Sequence, residues 1–229
     1  METLIAVYVF CFGLLVGSFL NVCIWRLPRE ESVVKPRSHC PQCSATIAWY
    51  DNIPILSFVL LKGRCRHCSA RVSWRYPAVE LLNGLLWLAT YQLFGLQPVT
   101  LVYMALISAC IAVTWIDWEH QIIPDEISLG GLVLGLLLSA LLPQLHGASS
   151  VSSSLLRSMM GILAGGGSLY LIGVIGEIIY RKEAMGGGDV KFLAMVGSLL
   201  GWQGVILIFF LAPLFGSVVG LIMRFKMKT

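Results

Sequence analysis

The chain has 229 residues, and its mean hydropathy of +0.82 is typical of a protein that lies largely in lipid. Only 12% of the residues are charged, about half the share of an ordinary soluble domain, so a surface that is solvated all round is excluded. The formal net charge of +4 is the excess of Lys and Arg that a membrane protein carries in its cytoplasmic loops. It therefore requires no nucleic-acid partner.

Apolar stretches of about 20 residues, the length that crosses a bilayer, recur along the chain. We predict an all-α polytopic membrane protein with about seven transmembrane helices. The first span lacks a basic leading segment and a small-residue cleavage site, so we interpret it as an uncleaved helix rather than a signal peptide. The predicted spans run at roughly 4–24, 78–94, 99–116, 127–143, 158–180, 190–202 and 204–223, of which 190–202 is short.

The Lys and Arg residues predict the orientation of these spans. Nine of the 16 lie in the polar stretch after the first span, and the positive-inside rule places that stretch in the cytoplasm. The N-terminus is then outside, and the loops at 117–126 and 181–189 are inside. The nine basic residues are Arg26, Arg29, Lys35, Arg37, Lys62, Arg64, Arg66, Arg71 and Arg75.

Two Cys-x-x-Cys pairs lie in this cytoplasmic loop, Cys40 with Cys43 and Cys65 with Cys68. Four thiolates in this spacing match the tetrahedral ligand set of Zn²⁺, so we predict a zinc-ribbon-like loop. Two disulfides or four idle thiols are the alternatives, but structural disulfides rarely persist in a reducing cytoplasm. Because four thiolates leave no open coordination position, the metal would be structural.

Small residues and one acid stand out inside the spans. Glycines four residues apart would let helix backbones approach closely in lipid. Glu80 lies just inside the second span, where a carboxylate is costly, so it is a candidate polar contact for a substrate or cofactor. We interpret the serines at 149–154 as part of a flexible outer loop. The glycine pairs are Gly13/Gly17, Gly131/Gly135, Gly161/Gly165, Gly197/Gly201 and Gly216/Gly220.

Two aspartates at the inferred cytoplasmic face are the candidate catalytic residues. Asp117 closes an apolar helix, and Asp189 follows three glycines and opens another. If they share one proton, one can activate a water while the other polarises a carbonyl, as aspartyl proteolysis requires. The alternative is structural, with Asp189 stabilising a helix N-terminus and Asp117 simply solvated. Asp125 follows a proline, and we interpret it as a helix cap.

The ordered motifs resemble those of the type IV prepilin peptidases, the GxGD aspartyl membrane proteases, over nearly the whole chain. Each fragment is weak alone, but their shared order and topology are specific. The fragments are Gly17-Ser-Phe-Leu-Asn-Val22 with Arg26-Leu-Pro28, the double Cys-x-x-Cys with Trp49-Tyr-Asp-Asn-Ile-Pro54 between its pairs, Arg75-Tyr-Pro77, Glu80, Asp117, and Gly186-Gly-Gly-Asp189.

The resemblance implies a bacterial inner-membrane aspartyl endopeptidase that faces the cytoplasm. Members remove the basic leader of type IV prepilins or type II secretion pseudopilins after a glycine, and many then N-methylate the new N-terminus with S-adenosyl-L-methionine. Its two family aspartates fall on Asp117 and Asp189. The resemblance associates residues 1–77 with methyl transfer and residues 78–229 with the peptidase. The methyl-donor site is unknown, since no glycine-rich dinucleotide fingerprint is present; Gly63 and Glu80 are candidates.

Two other functions fit the same residues. A peptidase without methyl transfer would cleave its substrate and leave a free amino terminus. A non-catalytic, zinc-stabilised scaffold of a secretion or pilus system would tolerate replacement of both aspartates. The resemblance also leads us to expect a Pro-Phe-Gly-Pro-like segment and a final span beyond the basic turn, which the residues 224–229 do not include.

Overall fold

The computed structural model describes residues 1–182 and 185–226, without the side chains at 218–223, 225 and 226. Within these residues the fold is helical, and β-structure is limited to two isolated bridges in the loop that carries the four cysteines. Short 3₁₀ turns lie at Leu27–Arg29, Trp49–Asn52 and Pro143–His146. The helices are α1 (Glu2–Arg26), α2 (Leu56–Leu60), α3 (Arg75–Phe94), α4 (Pro98–His120), α5 (Asp125–Leu141), α6 (Val151–Ile162), α7 (Ser168–Tyr180) and α8 (Gly187–Lys226).

Four helical segments are long and apolar enough to cross a membrane, among the residues described: Glu2–Arg29, Pro98–His120, Val151–Tyr180 and Gly187–Ser217. The chain is therefore a multi-pass membrane protein, as predicted. Helices α3 and α5 occupy two further predicted positions, but they do not meet the same criteria of length and hydropathy. The backbone of α8 leaves helical geometry at Gly201 (φ 70°, ψ 177°), next to the predicted boundary between 190–202 and 204–223.

The chain divides into two compact units, Met1–Pro124 and Asp125–Thr229. In the first unit α1 lies against α3, and a Cβ at Gly17 would approach the Glu80 Cα to 2.7 Å. A buried polar network extends this contact to α4. Asn83 Nδ2 donates to the Gly13 carbonyl (2.7 Å), and the Ser108 hydroxyl donates to Asn83 Oδ1 (2.8 Å). Small and polar residues thus hold three apolar helices together.

In the second unit α8 packs against α5, α6 and the π-helical turn Leu163–Gly167. Gly161 and Gly197 are in direct backbone contact, which confirms the expected role of glycine in close packing at this pair. At Gly216, by contrast, an added Cβ would meet no other helix within 4 Å among the described residues. Helix α6 begins at Val151, because the Ser150 side chain accepts a hydrogen bond from the Ser153 N–H as an N-cap. The flexible loop expected at 149–154 is therefore wrong from Val151 onward.

Candidate active site and metal centre

The two cysteine pairs form two copies of one turn. In each copy the first cysteine accepts a backbone hydrogen bond from the serine that follows the pair, at 2.8 Å for Ser44 and 3.0 Å for Ser69. Both serines have left-handed φ angles, 56° and 58°. The underlying repeat, Cys-x-x-Cys-Ser-Ala at residues 40–45 and 65–70, is visible in the sequence, but our sequence analysis missed it.

The four Sγ atoms lie within 4.8 Å of one another, and Cys40 Sγ is 3.8 Å from Cys68 Sγ. Tetrahedral Zn²⁺ with Zn–S bonds of about 2.3 Å would separate its ligands by about 3.8 Å. Hydrogen bonds from the backbone N–H groups of Cys68 and His67 lower the pKa of Cys65 to about 6, so its thiolate is favoured near neutral pH. The cluster is therefore compatible with a structural zinc ion, and the predicted grouping of the four cysteines is confirmed, whereas their role as zinc ligands stays a prediction.

An ion pair connects the turn of the second cysteine pair to the segment between the two pairs. Arg66, between the second pair of cysteines, donates from Nε and Nη2 to the two carboxylate oxygens of Asp51 at 2.7 and 2.6 Å. These hydrogen bonds hold the pKa of Asp51 below its usual range. The pair is not predictable from local sequence, since the two residues are 15 positions apart in an irregular loop.

A cavity of about 440 Å³ lies between the cysteine loop, the C-terminal end of α1 and the N-terminal end of α3. Its lining includes Asn21, Cys40, Gly63, Cys65 and Glu80. Gly63 adopts a φ of 67°, and its Cα faces the Phe58 ring so closely that an added Cβ would lie 3.0 Å from it. Both candidate cofactor residues thus face the same cavity as two of the predicted metal ligands.

Glu80 is buried and only 7% exposed. Its Oε2 accepts a hydrogen bond from the Ile55 N–H at 2.7 Å, which connects α3 to the residue that precedes α2. Ile55 has a left-handed φ of 59°, a conformation that is strained for a β-branched residue. The carboxylate therefore holds the wall of the cavity in an unusual backbone conformation.

Asp117 is exposed in the last turn of α4, which ends where Gln121 adopts a left-handed conformation. Two residues later, Glu119 accepts hydrogen bonds from Arg75 Nη1 at 2.7 Å. Arg75 is the first residue of α3, directly after the cysteine loop. This ion pair places Asp117 at the end of its unit that carries the four cysteines.

Asp189 is exposed in the first turn of α8. Its Oδ2 faces Gly186, where an added Cβ would lie 3.2 Å away. Lys191, two residues on, donates from Nζ to both carboxylate oxygens of Asp125 at 2.8 and 2.9 Å, which joins the starts of α5 and α8. Asp117 and Asp189 belong to different units, and the dyad they are expected to form stays a prediction.

Comparison with known proteins identifies the family. A family described as "Bacterial Peptidase A24 N-terminal domain" matches residues 11–94, and the "Type IV leader peptidase family" matches residues 104–221. No solved structure matches with significance.

Several curated relatives cover most of the chain. A "Prepilin leader peptidase/N-methyltransferase" of Myxococcus xanthus (strain DK1622) is 38% identical over 220 residues, covering 96% of this chain and 63% of that protein. A "Type 4 prepilin-like proteins leader peptide-processing enzyme" of Escherichia coli O78:H11 is 40% identical over 82% of this chain and 74% of its own length. A "Prepilin leader peptidase/N-methyltransferase" of Neisseria gonorrhoeae is 34% identical, and the match covers 93% of this chain and 80% of that protein.

This chain thus spans 63% of the length of its Myxococcus relative. The two matched families cover the cysteine-bearing half and the aspartate-bearing half in turn. With relatives 34 to 40% identical across most of its length, the chain belongs to the type IV leader peptidase family.

Proposed function

We propose that this chain is a membrane aspartyl endopeptidase that removes the basic leader of type IV prepilins or type II secretion pseudopilins after a glycine, and then N-methylates the new N-terminus. The observation that carries the proposal is the extent of the match. Relatives with the printed names of leader peptidases and N-methyltransferases align with 82 to 96% of the chain. The two matched families cover the cysteine loop and the aspartate motifs in turn.

The proposed topology has seven spans in the bacterial inner membrane, with the cysteine loop and both aspartates at the cytoplasmic face. Helices are present at all seven predicted positions, and four segments have the length and hydropathy of a span. The concentration of Lys and Arg between the first two spans supports the orientation. A basic leader would therefore meet the enzyme on the side where the aspartates lie.

The proposed catalytic groups are Asp117 and Asp189. One carboxylate takes a proton from a water, the water oxygen attacks the carbonyl carbon of the substrate glycine, and the other carboxyl group donates its proton to the carbonyl oxygen as that carbon becomes tetrahedral. Transfer of a proton to the amide nitrogen then releases the leader. No helix-stabilising role explains Asp117, because a carboxylate in the last turn opposes the helix dipole.

Asp125 is the competing acid, and its contacts favour a structural role. It is the first residue of α5, and both of its carboxylate oxygens are engaged by Lys191. Its negative charge at a helix N-terminus is stabilising. We therefore assign Asp125 a structural role, the ion pair that holds α5 against α8, and we assign the catalytic role to Asp117.

We assign residues 1–77 to methyl transfer, with Gly63 and Glu80 as candidate contacts for S-adenosyl-L-methionine. Cys40, Cys43, Cys65 and Cys68 would hold a Zn²⁺ ion, which supplies a rigid tetrahedral cross-link and no reactive position. Two of these cysteines line the cavity that Gly63 and Glu80 also line. The metal would thereby fix the shape of the cavity wall while taking no part in either reaction.

The test is coexpression with a prepilin-like substrate, followed by intact-mass measurement of that substrate. Wild type should remove the leader and add a further ~14 Da, the mass of one methylene. Asp117→Asn and Asp189→Asn should each abolish leader removal, and Asp125→Asn, the matched control, should retain it. Cleavage that survives both Asp117→Asn and Asp189→Asn would overturn the dyad, and cleavage without added mass would favour a peptidase that lacks methyl transfer.

A further inference from the structure

The residue before α2 contacts α3 well inside that helix. The Ile55 N–H donates to Glu80 Oε2 at 2.7 Å, and Glu80 follows the first residue of α3 by five positions, about 7.5 Å along the helix axis. A side chain leans toward the N-terminus of its helix, but by less than this distance. Opposite Glu80 on α1 is Gly17, which precedes the end of that helix at Arg26 by nine residues, about 13.5 Å. The chain at Ile55 therefore lies at a level inside the candidate membrane span of α1.

The backbone at 53–63 forms its hydrogen bonds within the protein. Ser57 Oγ accepts from the Ile53 N–H at 3.1 Å, and Glu80 accepts from the Ile55 N–H at 2.7 Å. Carbonyl groups of the same stretch accept, at 2.5 to 3.1 Å, from the N–H groups of Leu56, Ser57, Val59, Leu61, Lys62 and Gly63. Backbone groups that enter lipid must be satisfied in this way. A membrane environment thus explains why a buried carboxylate is used to accept from a single N–H group in a loop.

One side of α2 is apolar and exposed. Leu56, Val59 and Leu60 are 50%, 64% and 71% exposed, and their spacing places them on the same side of the helix; we call these three residues the α2 face. Trp74, the residue before α3, is 76% exposed, and its ring centroid lies 4.8 Å from that of Phe58 in α2. An exposed Trp beside the end of a helix is typical of the boundary between lipid and water.

The charges next to this face are all positive. No Asp or Glu lies between Asp51 and Glu80, whereas five Lys or Arg residues do. Two of the five form ion pairs with acids. The other three are exposed and form no ion pair with any residue that the structure describes; we call them the basic edge, and they are Lys62, Arg64 and Arg71. The first of them follows α2 by two residues, and the other two are joined by a β-bridge.

We propose that the α2 face inserts into the surface of the membrane and that the basic edge binds anionic lipid headgroups of the same leaflet. Exposed apolar residues with neighbouring cations are the pattern of segments that lie in the interface. The face is continuous with α3, where Leu81 and Leu82 next to Glu80 are also exposed. A substrate with a basic leader is disfavoured as the occupant, because the basic edge would repel it. The inference depends on neither proposed activity.

The test places the photo-crosslinking residue p-benzoylphenylalanine at position 60 of the full-length protein, in nanodiscs of equal parts phosphatidylglycerol and phosphatidylcholine. After irradiation, mass spectrometry identifies the molecules that are crosslinked. Val34, an apolar residue that is 77% exposed, is the matched control position. It lies in a stretch held at the end of α1, where Arg26 donates to the Ser32 and Pro36 carbonyls at 2.8 and 2.7 Å. The melting temperature of each variant reports on folding.

The probe at position 60 should form lipid adducts with an excess of phosphatidylglycerol, and the probe at position 34 should form few. Replacing the basic edge by Lys62→Gln, Arg64→Gln and Arg71→Gln together should remove the phosphatidylglycerol excess while lipid adducts remain. In a folded protein, no more lipid adducts at position 60 than at position 34 would overturn the insertion of the α2 face. An unchanged excess in the triple variant would overturn the role of the basic edge.

A second position decides the question if the protein with the probe at position 60 does not fold. Val59 belongs to the same face, and the probe placed there should give the same adducts. Irradiation in the presence of a coexpressed prepilin-like substrate tests the other occupant. Lipid adducts that persist beside the substrate support the proposal, whereas crosslinks to the substrate in place of lipid would overturn it and assign the α2 face to substrate binding.

Discussion

The four-cysteine loop and the two aspartates are organised in opposite ways. All four cysteines, the ion pair between Asp51 and Arg66, and the adjoining cavity lie within one compact unit. The aspartates are exposed at helix ends, one in each unit. A centre assembled inside one unit is stabilised by that unit alone, whereas a proposed dyad drawn from two units depends on both. We therefore expect that each proposed activity can be disturbed separately.

The largest expected effect is the separation of the two activities by Cys40→Ser. Cys40 is the buried member of the cluster, so its replacement should release the metal and lower methylation by at least about 10-fold, since structural zinc contributes directly to folding. Leader removal should continue. Zinc content by elemental mass spectrometry and substrate mass are the measurements.

Cys11→Ser is the matched control for this experiment, because Cys11 is an exposed thiol in α1 outside the cluster. It should change neither zinc content nor substrate mass. A folded, normally abundant Cys40→Ser protein that no longer cleaves would contradict the separation of the two regions.

An intermediate effect is expected from Gly17→Ala. The new Cβ would meet the backbone of Glu80 at 2.7 Å, and backbone cannot move aside as a flexible side chain can, so overpacking should cost about 1–3 kcal/mol. Because the displaced residue lines the cavity, methylation should fall more than leader removal. Thermal unfolding followed by fluorescence, together with both activity assays, measures this.

Gly130→Ala in α5 is the control, since an added Cβ there would meet no described atom within 4 Å outside the backbone of α5 and alanine favours a helix interior. Its melting temperature should equal or exceed that of the wild type. An equal loss of both activities in Gly17→Ala would show that the two regions are coupled through α1 and α3.

The smallest effect concerns pH and the second unit. Burial lowers the pKa of His146, and the nearby charge of Arg157 acts in the same direction; the ring Nε2 lies 3.0 Å from the Ser139 hydroxyl. Below the unfolded pKa of about 6.5 the unfolded chain binds more protons, so stability falls as pH decreases through the window below that value.

The melting temperature of the wild type should therefore drop between pH 7 and pH 5, and the drop should be smaller in His146→Gln, which can still hydrogen-bond Ser139. Zinc content above pH 6 should not differ between the two proteins. An identical drop in both would assign the pH dependence to another group.

The features that could be predicted from the sequence are those that depend on residues close together in the chain. Apolar runs predicted where the helices lie, and the spacing of the cysteines predicted their cluster. The contacts that position the site were not predictable in this way. Asp125 and Lys191 are 66 residues apart, and Arg75 and Glu119 are 44 apart, so only the folded chain brings them together. The start of α6 was not predicted either, because it depends on which serine in a run of serines caps the helix, and the structure shows that Ser150 does so.

The break in α8 at Gly201 explains an otherwise puzzling set of buried hydroxyl groups. Leaving helical geometry releases carbonyl oxygens of the preceding turn, and a carbonyl that is buried needs another hydrogen-bond donor. The Ser198 carbonyl, three residues before the break, accepts from the hydroxyls of Ser158 at 2.8 Å and Ser139 at 3.4 Å. Both serines are fully buried. These hydroxyls take the place of the lost helical donor, so the second unit can interrupt α8 while the freed carbonyl stays hydrogen-bonded inside the packed helices.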